Sequence, residues 1–213
     1  MDINPGQIAI FYVAFLMALC FHEFAHGFVA KLRGDDTAEV MGRLTMNPMA
    51  HIDWVGTVIF PLLALSGVIP FLFGWAKPVP VNPRNLKDQK NDMFLVAIAG
   101  PASNVLLALI GVILYGVLER GDFGVGHSAF TREGLNVFII FNLFLAIFNM
   151  IPIHPLDGGK VLARFLPYKA NRWLEDNQMM LNIGLLILFV TGFFRYLAYP
   201  VYLLDAGLRY LFV

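Results

Sequence analysis

Long apolar runs, separated by short polar or proline-rich stretches, divide this chain of 213 residues. The runs cover residues 6–32, 55–73, 93–118, 135–148, 177–194 and 196–212. A helix needs about 20 predominantly apolar residues to cross a bilayer, and most of these runs approach or exceed that length. The pattern therefore predicts an all-α polytopic membrane protein with about five transmembrane helices.

The run at residues 55–73 differs from the others, because Pro61, Pro70 and the pair Ser66-Gly67 interrupt it. These breaks weaken the case for a helix that crosses the membrane. The arguments from ligands and charge given below favour a re-entrant segment instead. The polar stretch at residues 34–53 and the proline-rich stretch at 74–83 predict short strands, turns and loops beside the functional site.

Composition agrees with a membrane protein and excludes several other classes. Hydrophobic residues make up 58% of the chain and charged residues 14%, against about 25% charged in soluble domains. The formal net charge is zero, so nothing suggests a nucleic-acid partner. The single cysteine, Cys20, excludes an intrachain disulfide. We expect one domain over residues 1–213, with a catalytic core at about 6–162 and a C-terminal helical pair at about 177–213.

The first apolar run contains an H-E-x-x-H motif at residues 22–26. His22 and His26 are four residues apart, so both imidazoles lie on one helix face and can bind the same metal ion. Glu23 lies beside that ion, where it can take a proton from a bound water. Charged groups in a spanning segment cost about 2.5–3.5 kcal/mol each, so their presence predicts function.

A catalytic zinc site usually has three protein ligands and one open position, so a third ligand is required. Asp157 fits if the helix from residue 135 runs in the same direction as the first helix. Prolines interrupt the chain on both sides of Asp157, and Gly158-Gly159 lets the backbone turn. His154 is an alternative ligand, although packing or hydrogen bonding to a ligand is favoured. His51 is expected to be a hydrogen-bonded loop histidine.

Ligand depth and charge together predict the topology. If residues 55–73 crossed the membrane, Asp157 would lie on the opposite side from the two histidines. If the segment is re-entrant, Asp157 joins them, and only Arg120, Arg132 and Arg195 of the fifteen basic residues lie on the other side. The remaining twelve, Arg209 included, then face the cytoplasm, as the positive-inside rule prefers. The N-terminus is therefore expected outside, with the metal site open to the cytoplasm.

Taken together, these residues resemble the site-2 proteases, intramembrane zinc metalloproteases, in their small prokaryotic form. The resemblance runs from His22 to about Leu162. Its motifs are H-E-x-x-H at residues 22–26, G-P-x-x-N at 100–104, and N-x-x-P followed by L-D-G-G at 149–159. Unlike many relatives, the chain leaves no room for a PDZ insertion or a C-terminal regulatory domain.

The resemblance implies specific roles for residues of this chain. One zinc ion per chain is expected, with His22, His26 and Asp157 as ligands and Glu23 as the catalytic base. The remaining implied residues are Asn149 and Asn104 for substrate or transition-state contacts, with His154 as a second-sphere candidate. The expected partners are a transmembrane protein substrate and the lipid bilayer, and the expected location is the plasma membrane of a prokaryote.

Two other function classes remain open. A metal transporter or sensor could use the same ligands without hydrolysis, but it should carry ionisable groups along a path across the membrane. A scaffold that binds membrane helices without cleaving them would commonly have lost Glu23 or a ligand. An extended substrate could add to an exposed strand edge, for which residues 42–45 and 79–81 are candidates.

Overall fold

The computed structural model describes residues 5–66, 68, 74–121 and 129–213, and this part of the chain is mostly helical. The helices are α1 (Pro5–Leu32), α2 (Thr37–Val40), α3 (Phe60–Leu65), α4 (Gln89–Arg120), α5 (Ala129–Asn149), α6 (Asp157–Ala163), α7 (Tyr168–Asp176), α8 (Gln178–Val190) and α9 (Ala198–Phe212). The all-α class is confirmed. The described residues contain the expected loops but no strand.

Helices α1 and α4 form an antiparallel pair at the centre of the molecule. His22 of α1 contacts Asn104 of α4, whereas His26, one turn later, contacts Val96, two turns earlier on α4. Both helices are long and apolar enough to cross a membrane.

Helix α5 packs beside this pair and runs parallel to α1. Gln7 near the start of α1 bonds to Glu133, and Phe15, two turns later, contacts Phe141. The end of α5 therefore lies on the same side as the end of α1. This is the direction that the Asp157 prediction required.

Small and branched side chains let α4, α5 and α9 approach closely. A Cβ at Gly111 would lie 2.8 Å from Cγ1 of Ile139, so glycine is needed where α4 meets α5. The buried cluster at this contact consists of Ala108, Val112, Ile139, Leu143 and Val201. Because lipid is as apolar as these side chains, close van der Waals packing, and not removal of apolar surface from water, holds the three helices together here.

The interrupted apolar run folds back on itself, as expected of a re-entrant segment. The π-helical turn Trp54–Ile59 and helix α3 lead in, and the amide of Trp75 returns to the carbonyl of Gly56 at 3.2 Å. The carbonyl of Val58 accepts a hydrogen bond from the hydroxyl of Tyr12. Tyr12 lies ten residues before His22 on α1, so this arm extends past the depth of His22 toward the start of α1. Residues 67 and 69–73, the rest of that predicted segment, lie outside the described part.

The C-terminal apolar residues do not form two separate spans. Helices α8 and α9 are 13 and 15 residues long, and the pair is bent by 76° at the break between them. The described residues contain three helices able to cross a membrane, or four if this bent pair counts as one span. The predicted number of about five is therefore not confirmed. The division into a catalytic core and a C-terminal pair stays a prediction.

Helix α9 runs beside α4 and carries an ion pair between Asp205 and Arg209, four residues apart. The guanidinium lies 2.9 Å from the carboxylate, bonds to Asn136 of α5 and covers the ring of Tyr115 of α4. These contacts place Arg209 near the end of α4, on the side of Arg120. Assigning it to the cytoplasmic group was therefore wrong.

Candidate metal centre

Three buried side chains from separate parts of the chain meet at one point. The Nε2 atoms of His22 and His26 are 3.0 Å apart, and each lies 3.1 Å from Oδ2 of Asp157. The i,i+4 spacing on α1 brings the imidazoles together. Asp157 is the first residue of α6 and reaches them because α5 ends on the same side as α1.

The other nitrogen of each imidazole faces a hydrogen-bond acceptor. Nδ1 of His22 lies 2.7 Å from Oδ1 of Asn104, and Nδ1 of His26 lies 2.7 Å from the carbonyl of Val96. Each Nδ1 must therefore carry the proton, which leaves both Nε2 atoms with free lone pairs. Two such lone pairs and a carboxylate oxygen converging at one point make a cation site.

Helix α4 supports both histidines from a single face. Val96, Gly100 and Asn104 are spaced four residues apart, so they line up along that face. A Cβ at Gly100 would lie 2.4 Å from Nε2 of His26 and 2.6 Å from Nε2 of His22. Only glycine lets the helix backbone approach the ligand atoms this closely.

The amide of Asn104 is itself fixed by buried partners. Its Nδ2 donates to the carbonyl of Ala18 at 3.0 Å and to Oδ1 of Asn142 at 2.9 Å, and Nδ2 of Asn142 donates to the carbonyl of Phe138. Both asparagines are fully buried. Asn142 escaped the sequence analysis, although a lone amide within an apolar span was a usable signal.

The donor set and its spacing fit zinc. Three ligand atoms about 3 Å apart can all lie about 2 Å from one ion, as zinc–nitrogen and zinc–oxygen distances require. Among the described residues, His22, His26 and Asp157 form the only group of this kind. Two imidazoles and one carboxylate leave one position open, as in catalytic zinc sites.

Sequence comparison agrees with this geometry. The family model described as "Peptidase family M50" matches residues 10–131 and 121–191. The chain belongs to this family, the site-2 proteases. It is 37% identical over 213 residues to "Putative zinc metalloprotease YwhC" of Bacillus subtilis, covering 97% of this chain and 89% of that protein. Rip2 of Mycolicibacterium smegmatis, which carries the same description, is 28% identical over 95% of this chain and 79% of its own length.

No solved structure gave a significant match. Membership in the M50 family establishes this chain as a zinc metalloprotease and zinc as its cofactor. Its apolar helices and its family establish it as an integral membrane protein.

Glu23, the acidic residue of the H-E-x-x-H motif, faces a cavity of about 310 Å³ beside the metal-binding atoms. Its Oε2 accepts a hydrogen bond of 2.7 Å from the backbone amide of Val79. The metal-binding side chains line the same cavity, together with Asn149 and Lys160. The cavity therefore brings together the metal ligands, one carboxylate outside the ligand set and one ammonium group.

The remaining predicted site residues occupy different places. Asn149 lines the cavity, and its Nδ2 donates to the carbonyl of Leu145. Asn104 instead lies behind His22, where its amide is occupied by protein groups. His154 is outside the three-residue ligand group. His51 is a buried loop histidine whose Nε2 lies 2.8 Å from the carbonyl of Thr45, as expected.

The glycines after Asp157 act through close packing. A Cβ at Gly158 would lie 2.4 Å from the carbonyl oxygens of Met150 and Ile151, and one at Gly159 would lie 2.7 Å from the amide nitrogen of His154. The loop between α5 and α6 thus folds directly onto the start of α6. Neither glycine has a positive φ, so close approach, and not an unusual turn, explains them.

Lys160 forms the outer contact of the aspartate. Its Nζ lies 3.4 Å from Oδ1 of Asp157, the oxygen that faces away from the histidines. The side chain is about half-exposed, so solvent screens this ion pair. Its chief effect is to place a positive charge at the cavity wall.

Proposed function

We propose that this chain is an intramembrane endopeptidase that cleaves peptide bonds in or near the transmembrane segments of membrane proteins. The depth of the ligand group carries this proposal. His22 lies nine residues before Lys31, about 13 Å along a helix long and apolar enough to cross the membrane. A site at that depth is reached by substrates that themselves enter the bilayer.

His22, His26 and Asp157 are the proposed zinc ligands, and Glu23 is the proposed general base. Bound zinc would lower the pKa of a water molecule toward 7 and polarise the peptide carbonyl. Glu23 accepts the proton as the water oxygen bonds to the carbonyl carbon. It then gives that proton to the amide nitrogen as the carbon–nitrogen bond breaks. The second proton of the water passes from the new carboxyl group to the amine, which yields a carboxylate and an ammonium group.

The substrate must be extended at the cleaved bond, because a helix hides its carbonyls in i→i−4 hydrogen bonds. The cavity wall beside Glu23 contains Pro78, Val79 and Val81, which lie outside helix and strand. Asn149 and Lys160 line the same cavity and are proposed to contact the substrate or the developing negative charge. Asn104 is proposed to act through His22 instead.

We infer that the N-terminus lies outside and that the cavity opens toward the cytoplasm, in the plasma membrane of a prokaryote. With Arg209 on the other side, eleven of the twelve basic residues assigned to the cytoplasm keep that assignment, against Arg120, Arg132 and Arg209. Arg195, which was predicted on the outer side, lies beside Phe144 and Phe194 at the bend between α8 and α9 and is counted with neither group. The bias still favours this orientation.

Hydrolysis is preferred over metal transport because of what surrounds the ligand group. The apolar cluster around Val112 and Leu143 lies between the buried Asn142 and the ion pair of Asp205 and Arg209 near the outer ends of α4 and α5. A transport path would need polar or ionisable groups there. Glu23 lies beside the ligands but outside their group, and it supplies the general base that hydrolysis needs.

The test uses the purified protein in liposomes with a tagged single-span substrate, and compares the wild type with Glu23→Gln. We expect cleavage by the wild type and a loss of at least about 1,000-fold in Glu23→Gln, with zinc retained. The same cleavable sequence moved into a soluble loop should be a poor substrate. Equal cleavage of both forms would contradict the intramembrane assignment.

A further inference from the structure

Residues 77–82, with the sequence K-P-V-P-V-N, form a segment outside helix and strand that passes beside Glu23. The prolines at 78, 80 and 83 favour extended backbone at the residues before them, as the structure shows at Asn82. Pro78 and Pro80 have no N–H, so the segment carries four backbone donors. Three of them donate within the protein. Their acceptors are the His51 carbonyl for Lys77 (2.9 Å), Oε2 of Glu23 for Val79 (2.7 Å) and Oδ2 of Asp35 for Asn82 (2.6 Å).

Asp35 holds one end of this segment and has no part in the metal-binding group. It lies just after α1, and its relative exposure is 0%. Besides the Asn82 amide, its carboxylate accepts hydrogen bonds from the Thr37 amide and hydroxyl and, at 3.0 Å, from Nδ2 of Asn85. A buried carboxylate is costly unless it is satisfied in this way. Asp35 therefore ties the segment to the end of the helix that carries Glu23.

The other end of the segment is held by Arg43. Its Nη2 donates to the carbonyl of Lys77 at 2.8 Å and to that of Pro78 at 3.2 Å. Val79, between the two attachments, is thus fixed on both sides. Its amide is held against Glu23 by contacts that do not involve the metal ligands.

We propose that Asp35 is a positioning residue for Glu23, because it fixes the segment whose Val79 amide holds one oxygen of the Glu23 carboxylate. The other oxygen is then left to face the reacting water. This role rests on the proposed function only in that Glu23 is the general base. A base must lie within hydrogen-bond reach of the proton it takes, so a carboxylate free to rotate is a poorer catalyst.

The first test is a steady-state comparison of Asp35→Asn with Asp92→Asn in the full chain in liposomes. Asp92 is a matched control: it is also buried, accepts from the Asp88 amide and pairs with Arg33, but does not bond to the segment. We expect Asp35→Asn to lower kcat about tenfold or more, with KM within about threefold and about one zinc per chain. The control should stay within about threefold of the wild type in both constants.

A double variant tests whether Asp35 and the Val79 amide act through the same contact. Val79→Pro removes the donor directly, so we expect it to lower kcat at least as much as Asp35→Asn. The double variant should then be no slower than Val79→Pro alone. If the loss of kcat in the double variant equals the product of the two single losses, Asp35 acts through a different contact, and the inference is overturned.

Hydrogen–deuterium exchange gives a readout that needs no activity. A peptide over residues 77–82 reports only three amides, those of Val79, Val81 and Asn82, and we expect its exchange to be about tenfold or more faster in Asp35→Asn than in the wild type and in Asp92→Asn. Unchanged exchange, or a fall in kcat that only follows loss of zinc, would overturn the inference. If the wild type cleaves nothing, the proposed function fails, and the exchange result alone decides whether Asp35 positions Val79.

Discussion

Nδ1 of His22 lies 2.7 Å from Oδ1 of Asn104, and this contact fixes which nitrogen of His22 faces the metal. The asparagine cannot rotate, because its Nδ2 is held by the Ala18 carbonyl and by Asn142. One amide on α4 thus sets the protonation pattern of an imidazole on α1. The G-P-x-x-N motif contains this residue and Gly100, whose missing side chain leaves room for both imidazoles.

Asn104→Ala should weaken zinc binding about 10- to 100-fold, because it leaves the Nδ1–H of His22 buried without an acceptor. Zinc retention during titration with a chelator measures this. Ser103→Ala is the control, since the Ser103 hydroxyl donates to the carbonyl of Gly100 within α4 and to no other group in the described part of the chain. Equal zinc affinity of the Asn104→Ala variant and the wild type would show that the amide does not orient the ligand.

Gly100→Ala should abolish zinc binding or leave less than about a tenth of it, because a Cβ there would lie within 2.6 Å of both ligand nitrogens. Gly207→Ala on α9 is a matched control, since nothing lies within 4 Å of the added atom. Metal analysis of the two purified variants decides the matter. A normal zinc content in Gly100→Ala would mean that α4 lies further from the histidines.

Parts of this site followed from sequence because the signals are local. The spacing of His22 and His26 fixes their common face on any helix, and the depth argument for Asp157 needed only helix directions. The Val79 amide acts through a contact between distant segments, so no local pattern marks it. Asn142 stands out as an amide within an apolar run, but its partner Asn104 lies on another helix, so the sequence does not show what it does. The bend between α8 and α9 was missed because hydropathy reports which residues are apolar but not where a helix axis turns. Gly192 has a φ of 71° at this bend, but in the sequence it is a single glycine and only a weak signal of a break.

Asp35 should make stability depend on pH. Burial raises the pKa of its carboxyl, but hydrogen bonds from Thr37, Asn82 and Asn85 lower it by more, so the pKa lies below its ordinary value. The stabilisation is therefore complete above the unfolded pKa of about 3.9 and is lost as pH falls through the folded value. The difference in Tm between the wild type and Asp35→Asn should be constant above about pH 5 and shrink below it. A difference that grew toward acid pH would contradict this assignment.

The orientation predicts which sites an impermeant thiol reagent reaches in intact cells. In a Cys20→Ser background, Gly121→Cys should be labelled from outside, whereas Met49→Cys and Arg84→Cys should react only after the membrane is opened. Met49 and Arg84 flank the re-entrant segment and both are exposed, so burial would not protect them. Labelling of Arg84→Cys alone in intact cells would mean that the segment crosses the membrane.

The central claim is that His22, His26 and Asp157 hold one zinc ion beside Glu23. Its most direct test is the zinc content and affinity of purified wild type, Glu23→Gln, Asp157→Ala and His154→Ala. We predict about one zinc per chain in the wild type, in Glu23→Gln and in His154→Ala, and an affinity at least about 100-fold weaker in Asp157→Ala. Undiminished affinity in Asp157→Ala together with loss of zinc in His154→Ala would contradict the account and make His154 the third ligand.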